Sequence, residues 1–186
     1  MAGEQLEMFS QTTGCIEDVT KELKECKKML NQVGKIFRNT NVHGSCYDFF
    51  LKGVKSLREE ALRKGFAVYQ GDKIYLLGYY LSPGVYLQKQ SETVTLHARI
   101  RVNMGDMDDV VHWPFTKTVK LRVLHPTRWA EREINETISG RVSGSERPDE
   151  SSTAAVYTTS SLNLDGLIND GYAERDELRV EFELLP

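Results

Sequence analysis

The spacing of apolar and polar positions changes character once along this chain, around the turn-forming stretch "NTNVHGS". Before it, apolar residues recur every seven: Ile16, Leu23, Leu30 and Phe37 form one set, with Val19, Cys26 and Val33 between them. Lys, Glu, Asn and Gln fill most other places, as a coiled-coil surface requires. The pattern predicts a helix over residues 15–38, preceded by a flexible segment over 1–14. It places Glu22 at g and Lys27 at the following e, a spacing that pairs parallel helices, and Val at d favours three strands over two. About three heptads at 1.5 Å per residue give a stalk of roughly 33 Å, and Gly34 weakens its end. The same pattern also fits one amphipathic helix lying on the domain.

After the turn the period falls to two. "CYDFFL", Cys46 to Leu51, reads as a strand. Val54, Leu57 and Ala61, followed by Arg63, Lys64 and Gly65, read as a short helix with a glycine cap. From Phe66 onward alternation dominates. "FAVY" is separated from "KIYLLGYY" by Gln70-Gly71-Asp72, and Ser82-Pro83-Gly84 is expected to separate that strand from "VYLQ". Thr93 to Val102 points Val94, Leu96, Ala98, Ile100 and Val102 one way, and Thr95, His97, Arg99 and Arg101 the other. Val119, Leu121 and Val123 alternate with Lys120 and Arg122, and Leu178, Val180, Phe182 and Leu184 with Arg179, Glu181 and Glu183. Short strands with one apolar face predict a mainly β, antiparallel sandwich over residues 44–186. The stretches "SGRVSGSERPDESS" and "TTSSLNLDG" are expected to be its long loops.

Composition narrows the possible functions. The 186 residues carry 24 basic and 27 acidic side chains, a net charge of −3 that leaves no general nucleic-acid footprint. No apolar run approaches the ~18 residues of a membrane span, and the N-terminus lacks the basic and apolar regions of a signal peptide. Cys15, Cys26 and Cys46 show no Cys-x-x-Cys spacing, so neither a disulfide framework nor a zinc module is expected. A reducing cytoplasmic setting follows.

Catalytic and metal signals are weak. His43, His97, His112 and His125 are dispersed and lack a second ligand at metal-binding spacing. Asp106, Asp108 and Asp109 in "NMGDMDD" resemble part of a calcium loop, but the closing Glu is missing and a capped turn fits better. "SSTAAVYTTSS" has no glycine elbow. Trp113 and Phe115 are expected to anchor the core, with Pro114 setting the bend between them. No enzyme, cofactor or metal is expected. The pattern is that of a binding module.

The segment "LHARIRVNMGDMDDVVHWPFTKTVKLRVLHP", Leu96 to Pro126, resembles the TRAF-C (MATH) domain of the tumour necrosis factor receptor-associated factors. Gly105, Asp108, Trp113, Pro114 and Phe115 fall in that family's register. "REEALRKG" is similar to its short helix, "GYYLSPGVYL" to its Tyr-Leu strand, and "GYAERDELRVEFELL" to its last strand. The likeness spans about Gly44 to Leu185. It implies an eight-stranded sandwich, trimerised by the preceding coiled coil, that docks short peptides from receptor tails or adaptors on its outer edge. It also implies homotrimers or association with other TRAF proteins. No RING or zinc-finger cysteines are present in this sequence.

The resemblance also singles out positions for the peptide site, several of them altered. Phe49 stands where the family has Trp. Tyr86 keeps a peptide-contacting tyrosine, while its companion arginine is Gly84. An aromatic floor position aligns with Arg99, flanked by His97 and Arg101 on one strand face. The serine run falls on Val142, Ser143 and Gly144, leaving Ser143 and Ser145. These changes imply a preference for acidic or phosphorylated peptides; the bland reading makes Arg99 and Arg101 a solvated strand face. Three functions follow from the resemblance: a trimeric cytosolic signalling adaptor, a regulatory decoy pairing with full-length TRAFs, and a substrate-recruiting module for a separate ubiquitin ligase.

Overall fold

A computed structural model describes residues 18–29, 44–151 and 154–185. The chain divides into two compact units, Met1–Arg38 and Asn39–Pro186, and each is taken on its own. In the first, residues 18–29 are helical (α1), and Val19, Leu23 and Cys26 are exposed along it. The stalk positions Ile16, Leu30, Val33 and Phe37, and the segment 1–14, lie outside the described residues.

The second unit opens with β1 (Cys46–Lys52) and α2 (Val54–Lys64). The helix ends where Gly65 adopts φ 93° and donates its N–H to Ala61 O at 2.8 Å, a left-handed cap that side chains with a Cβ resist. There follow β2 (Phe66–Gln70), β3 (Ile74–Leu76), β4 (Tyr79–Gln90), β5 (Thr93–Asn103), β6 (Thr118–Leu124) and β7 (Glu131–Thr137). The remaining elements are β8 (Val156–Tyr157), β9 (Leu162–Asn163), α3 (Leu164–Asn169), β10 (Ala173–Glu174) and β11 (Glu177–Leu185).

These strands build two sheets whose main paths, β1-β11-β6-β7 and β2-β4-β5-β8, hold four strands each. All described pairings are antiparallel, and β3, β9 and β10 pair at the margins. The fold is therefore the expected eight-stranded sandwich with three short additions. Its core takes Leu51, Leu121, Val180 and Phe182 from one sheet and Leu81, Leu87, Leu96 and Ile100 from the other, all in one buried cluster. Each such side chain contributes about 1.5–3 kcal/mol when removed from water. No single surface contact competes with that sum.

Trp113 and Phe115 are core anchors as the sequence predicts. The Tyr79 ring meets both edge-on, at 5.4 Å and 5.0 Å between centroids. Trp113 Nε1 donates to Asp108 O at 2.8 Å, and Asp108 Oδ2 accepts from Gly105 N at 2.9 Å. "NMGDMDD" is thus the capped turn.

Three expectations change. "KIYLLGYY" is not one strand: Leu77 and Gly78, both at positive φ, turn β3 back into β4 as a hairpin. Ser82-Pro83-Gly84 does not end a strand, because β4 runs through it and pairs with β5 from Tyr80 to Gln90. Pro83 sits where β4 changes neighbour from β3 to β2, so its missing N–H faces the connection whose Gly71 donates to Pro83 O at 2.7 Å. Gly84 is required by close approach, since a Cβ there would lie 2.2 Å from Tyr69 O. Finally, "TTSSLNLDG" is not all loop. It contains β9 and starts α3, whose cap Asn163 accepts from Gly166 N at 2.8 Å.

Candidate peptide-docking face

The outward side chains of the second sheet form transverse rows, two of which frame the site. Cross-strand partners share a face, so the register places Val68, Tyr86 and His97 in one row. Gln70, Gly84, Arg99 and Tyr157 make the next. An open concavity of about 600 Å³ lies over the first row, lined by Phe66, Tyr86, Gln88, Gln90, His97, Tyr157, Thr158 and Thr159. Its apolar content is aromatic. Tyr86 stacks with Phe66 at 6.0 Å and meets Tyr157 at 4.7 Å, while Phe66 and Tyr157 remain 50% and 42% exposed. Exposed rings gathered over a few polar groups suit an apolar side chain with neighbouring polar backbone.

His97 forms the buried floor. Thr158 O can only accept, so His97 Nδ1 carries the proton donated to it at 2.8 Å. His97 Nε2 lies 3.2 Å from the Thr95 hydroxyl, which also faces Gln88 O at 3.2 Å. Thr158 is locked in turn, its N donating to Ala98 O and its Oγ1 accepting from Ala98 N, both at 3.0 Å. The segment that follows β8 thereby supplies a partner to a face that alternation marks as polar.

Arg99 is not a solvated side chain. It is 8% exposed, donates from Nη1 to Gln70 Oε1, and has its Cζ 5.9 Å from the Tyr157 ring centre. Gly84 is the residue between Arg99 and Gln70 in the register. Arg101, half-buried, pairs in register with Ser82, one row further on. Ser143 and Ser145 are not among the side chains lining the concavity. Ser145 is buried, donates its hydroxyl to Val142 O at 2.6 Å, and accepts Phe115 N on its carbonyl at 2.7 Å, so it braces the Trp-Pro-Phe corner. Ser143 is exposed on that turn.

Sequence reasoning missed Phe66, Gln70, Gln88, Tyr157 and Thr158. Only the register of four strands brings them to Tyr86 and His97. Among the described residues, one group of metal-type ligands gathers within 4.8 Å: Cys46, Glu181 and Glu183. Arg122 donates to both carboxylates, which supplies the positive charge a cation would bring.

A two-sheet antiparallel sandwich with an aromatic concavity on one outer face is a recognition module in form. The sequence profile described as "TRAF/meprin, MATH domain" matches residues 73–181, more than half of the chain. The chain belongs to that family. Among solved structures, Notothenia coriiceps TRAF5 is similar at a TM-score of 0.60 and 19% sequence identity, over 99% of this chain and 91% of that one. That likeness shows the fold. No curated protein sequence matches the chain at a significant level.

Proposed function

We propose that this protein is a cytosolic signalling adaptor that docks short receptor or adaptor peptides on the outer face of β4, β5 and β8, and gains avidity by trimerising through its N-terminal helix. The observation that carries the reading is the concavity itself. Phe66, Tyr86 and Tyr157 stand partly exposed around a floor of His97 and Thr158 whose polar atoms already have partners in each other, Thr95 and Ala98. Such a floor holds its shape before a ligand arrives, which lowers the ordering cost of binding. Exposed Val19 and Leu23 on α1 supply the apolar stripe a coiled coil needs, and weak peptide binding by one domain multiplies when domains are linked. The cytosolic setting rests on cysteines without disulfide spacing; among the described residues no helix is long and apolar enough to cross a membrane.

Selection of a random octapeptide library on the purified 186-residue chain and on Tyr86→Ala tests the docking face. Peptides recovered on the wild type and lost from the variant support it. Equal recovery by both proteins, or none by either, would reject it.

A further inference from the structure

Among the described residues, Arg99 is a buried cation without a carboxylate partner. At 8% exposure its Nε is enclosed and makes no hydrogen bond, and no ion pair among the described residues includes it. A lysine so placed could shed its proton, but a guanidinium cannot, so the charge and its desolvation cost persist. The compensation present is one amide oxygen, Gln70 Oε1, and the face of Tyr157. Both are weaker partners for a guanidinium than a carboxylate.

Gln70 is well placed to leave. It is exposed, near the end of β2, and its amide is otherwise anchored through Nε2 to Ser82 O at 3.0 Å. A glutamine amide and a glutamate carboxylate have the same planar shape. The amide oxygen on Arg99 therefore marks the place one carboxylate oxygen would take. We propose that Gln70 is a displaceable stand-in for an acidic side chain of the ligand, and that Arg99 selects that side chain. The inference rests on the peptide-docking reading above and gives it a ligand chemistry. The ligand is an extended peptide carrying Asp or Glu close to an apolar residue. The carboxylate displaces Gln70, while the apolar side chain settles among Phe66, Tyr86 and Tyr157. A carboxylate is the planar isostere of the amide it would replace, so the carboxylate is the ligand assigned, and phosphate, which a guanidinium also binds, is an outcome of the test.

The test repeats the octapeptide selection on wild type, Gln70→Glu and Gln70→Ala, with phosphoserine included among the library residues. Wild type and Gln70→Ala should enrich Asp or Glu at one position beside an apolar residue. Gln70→Glu places an internal carboxylate on Arg99. It should lose the acidic preference, keep the apolar one, and unfold at a higher temperature than wild type. For a selected peptide, Glu→Gln in the ligand should weaken binding to wild type about tenfold, the worth of one charge-assisted hydrogen bond, and leave binding to Gln70→Glu unchanged. An apolar preference without an acidic one, enrichment of phosphoserine alone, or acidic preference surviving in Gln70→Glu would each overturn the role of Arg99 while sparing the docking face. Recovery of no peptide by wild type would overturn both.

Discussion

Arg122 on β6 stands directly across from Glu181 on β11, and the same Nη2 reaches Glu183, two residues along, at 3.1 Å. Lys120, which the register sets opposite Glu183, instead meets Glu133 of β7 at 3.0 Å. The outer face of the first sheet thus carries charges linked across three strands. Beneath it, Leu121 and Phe182 are fully buried. A slip of one residue would turn Arg122 inward, so core and surface specify the same register.

Reversal of these charges should cost little and should be recoverable. Glu181→Lys is expected to destabilise the protein by about 1 kcal/mol, since cross-strand ion pairs near the surface are worth about that or less. Arg122→Glu in the same chain should restore part of it. Denaturant unfolding of the two single variants and the double variant measures the coupling, and strictly additive effects would contradict the pairing.

Glu136 ties the sheets together. Its carboxylate accepts from Thr159 N at 2.9 Å, Ser160 N at 2.8 Å and Thr159 Oγ1 at 3.0 Å, joining β7 to the segment that carries Thr158. Burial pushes this carboxyl up, but the hydrogen bonds from Ser160 and Thr159 outweigh it and hold it below the usual 4.5. A lowered folded value means that the stabilisation is present above the unfolded pKa and fades as pH falls through the folded one. Glu136→Gln should cost about 1–2 kcal/mol at pH 7. The loss should shrink below about pH 4.5, where the wild type gives up the same charge. Thermal unfolding of both proteins across pH checks this, and faster amide exchange at Thr158 to Ser160 should accompany the substitution.

Cys46 should react slowly. Burial pushes its thiol up, and although the Ser45 hydroxyl opposes this, the neighbouring Glu183 carboxylate adds to the rise. The thiolate is the nucleophile, so iodoacetamide at neutral pH should label Cys46 slowly in the wild type. Glu183→Gln should speed that labelling, and peptide mapping of the alkylated chain reads the rate at each cysteine. No change would mean that burial alone sets it.

Cys26 reports on the stalk. It is exposed on the single chain, three residues after an exposed Leu23 at the stalk's apolar positions. In a parallel trimer both would enter the seam. The wild type is expected to sediment at three times the mass of the chain and to protect Cys26 from alkylation. Leu23→Asp puts a charge in each seam, costing several kcal/mol in every trimer, and should yield monomer with a reactive Cys26. A monomeric wild type would remove trimerisation.

Sequence alone determined the elements whose side chains repeat. Strands β1, β5, β6 and β11 and helix α2 were legible because alternation or a 3.6-residue spacing matches one apolar face to one core, and the Trp-Pro-Phe corner because its residue types are rare in combination. Tertiary structure decided the rest. Pro83 and Gly84 spell a turn in any local reading, yet they lie inside β4. There, a change of strand partner makes the missing N–H harmless, and close approach to Tyr69 O demands glycine. The face of β5 bearing Thr95, His97 and Arg99 alternates as a solvent face would, yet all three are buried: β8 and β9 pair along the edge of β5, Thr158 O bonds His97, and the Tyr157 ring lies beside Arg99. Burial of a polar face depends on what later segments cover, and that cover is set by contacts some sixty residues apart, such as His97 with Thr158. The scaffold therefore follows from short-range periodicity, while the docking face follows from the register of distant strands.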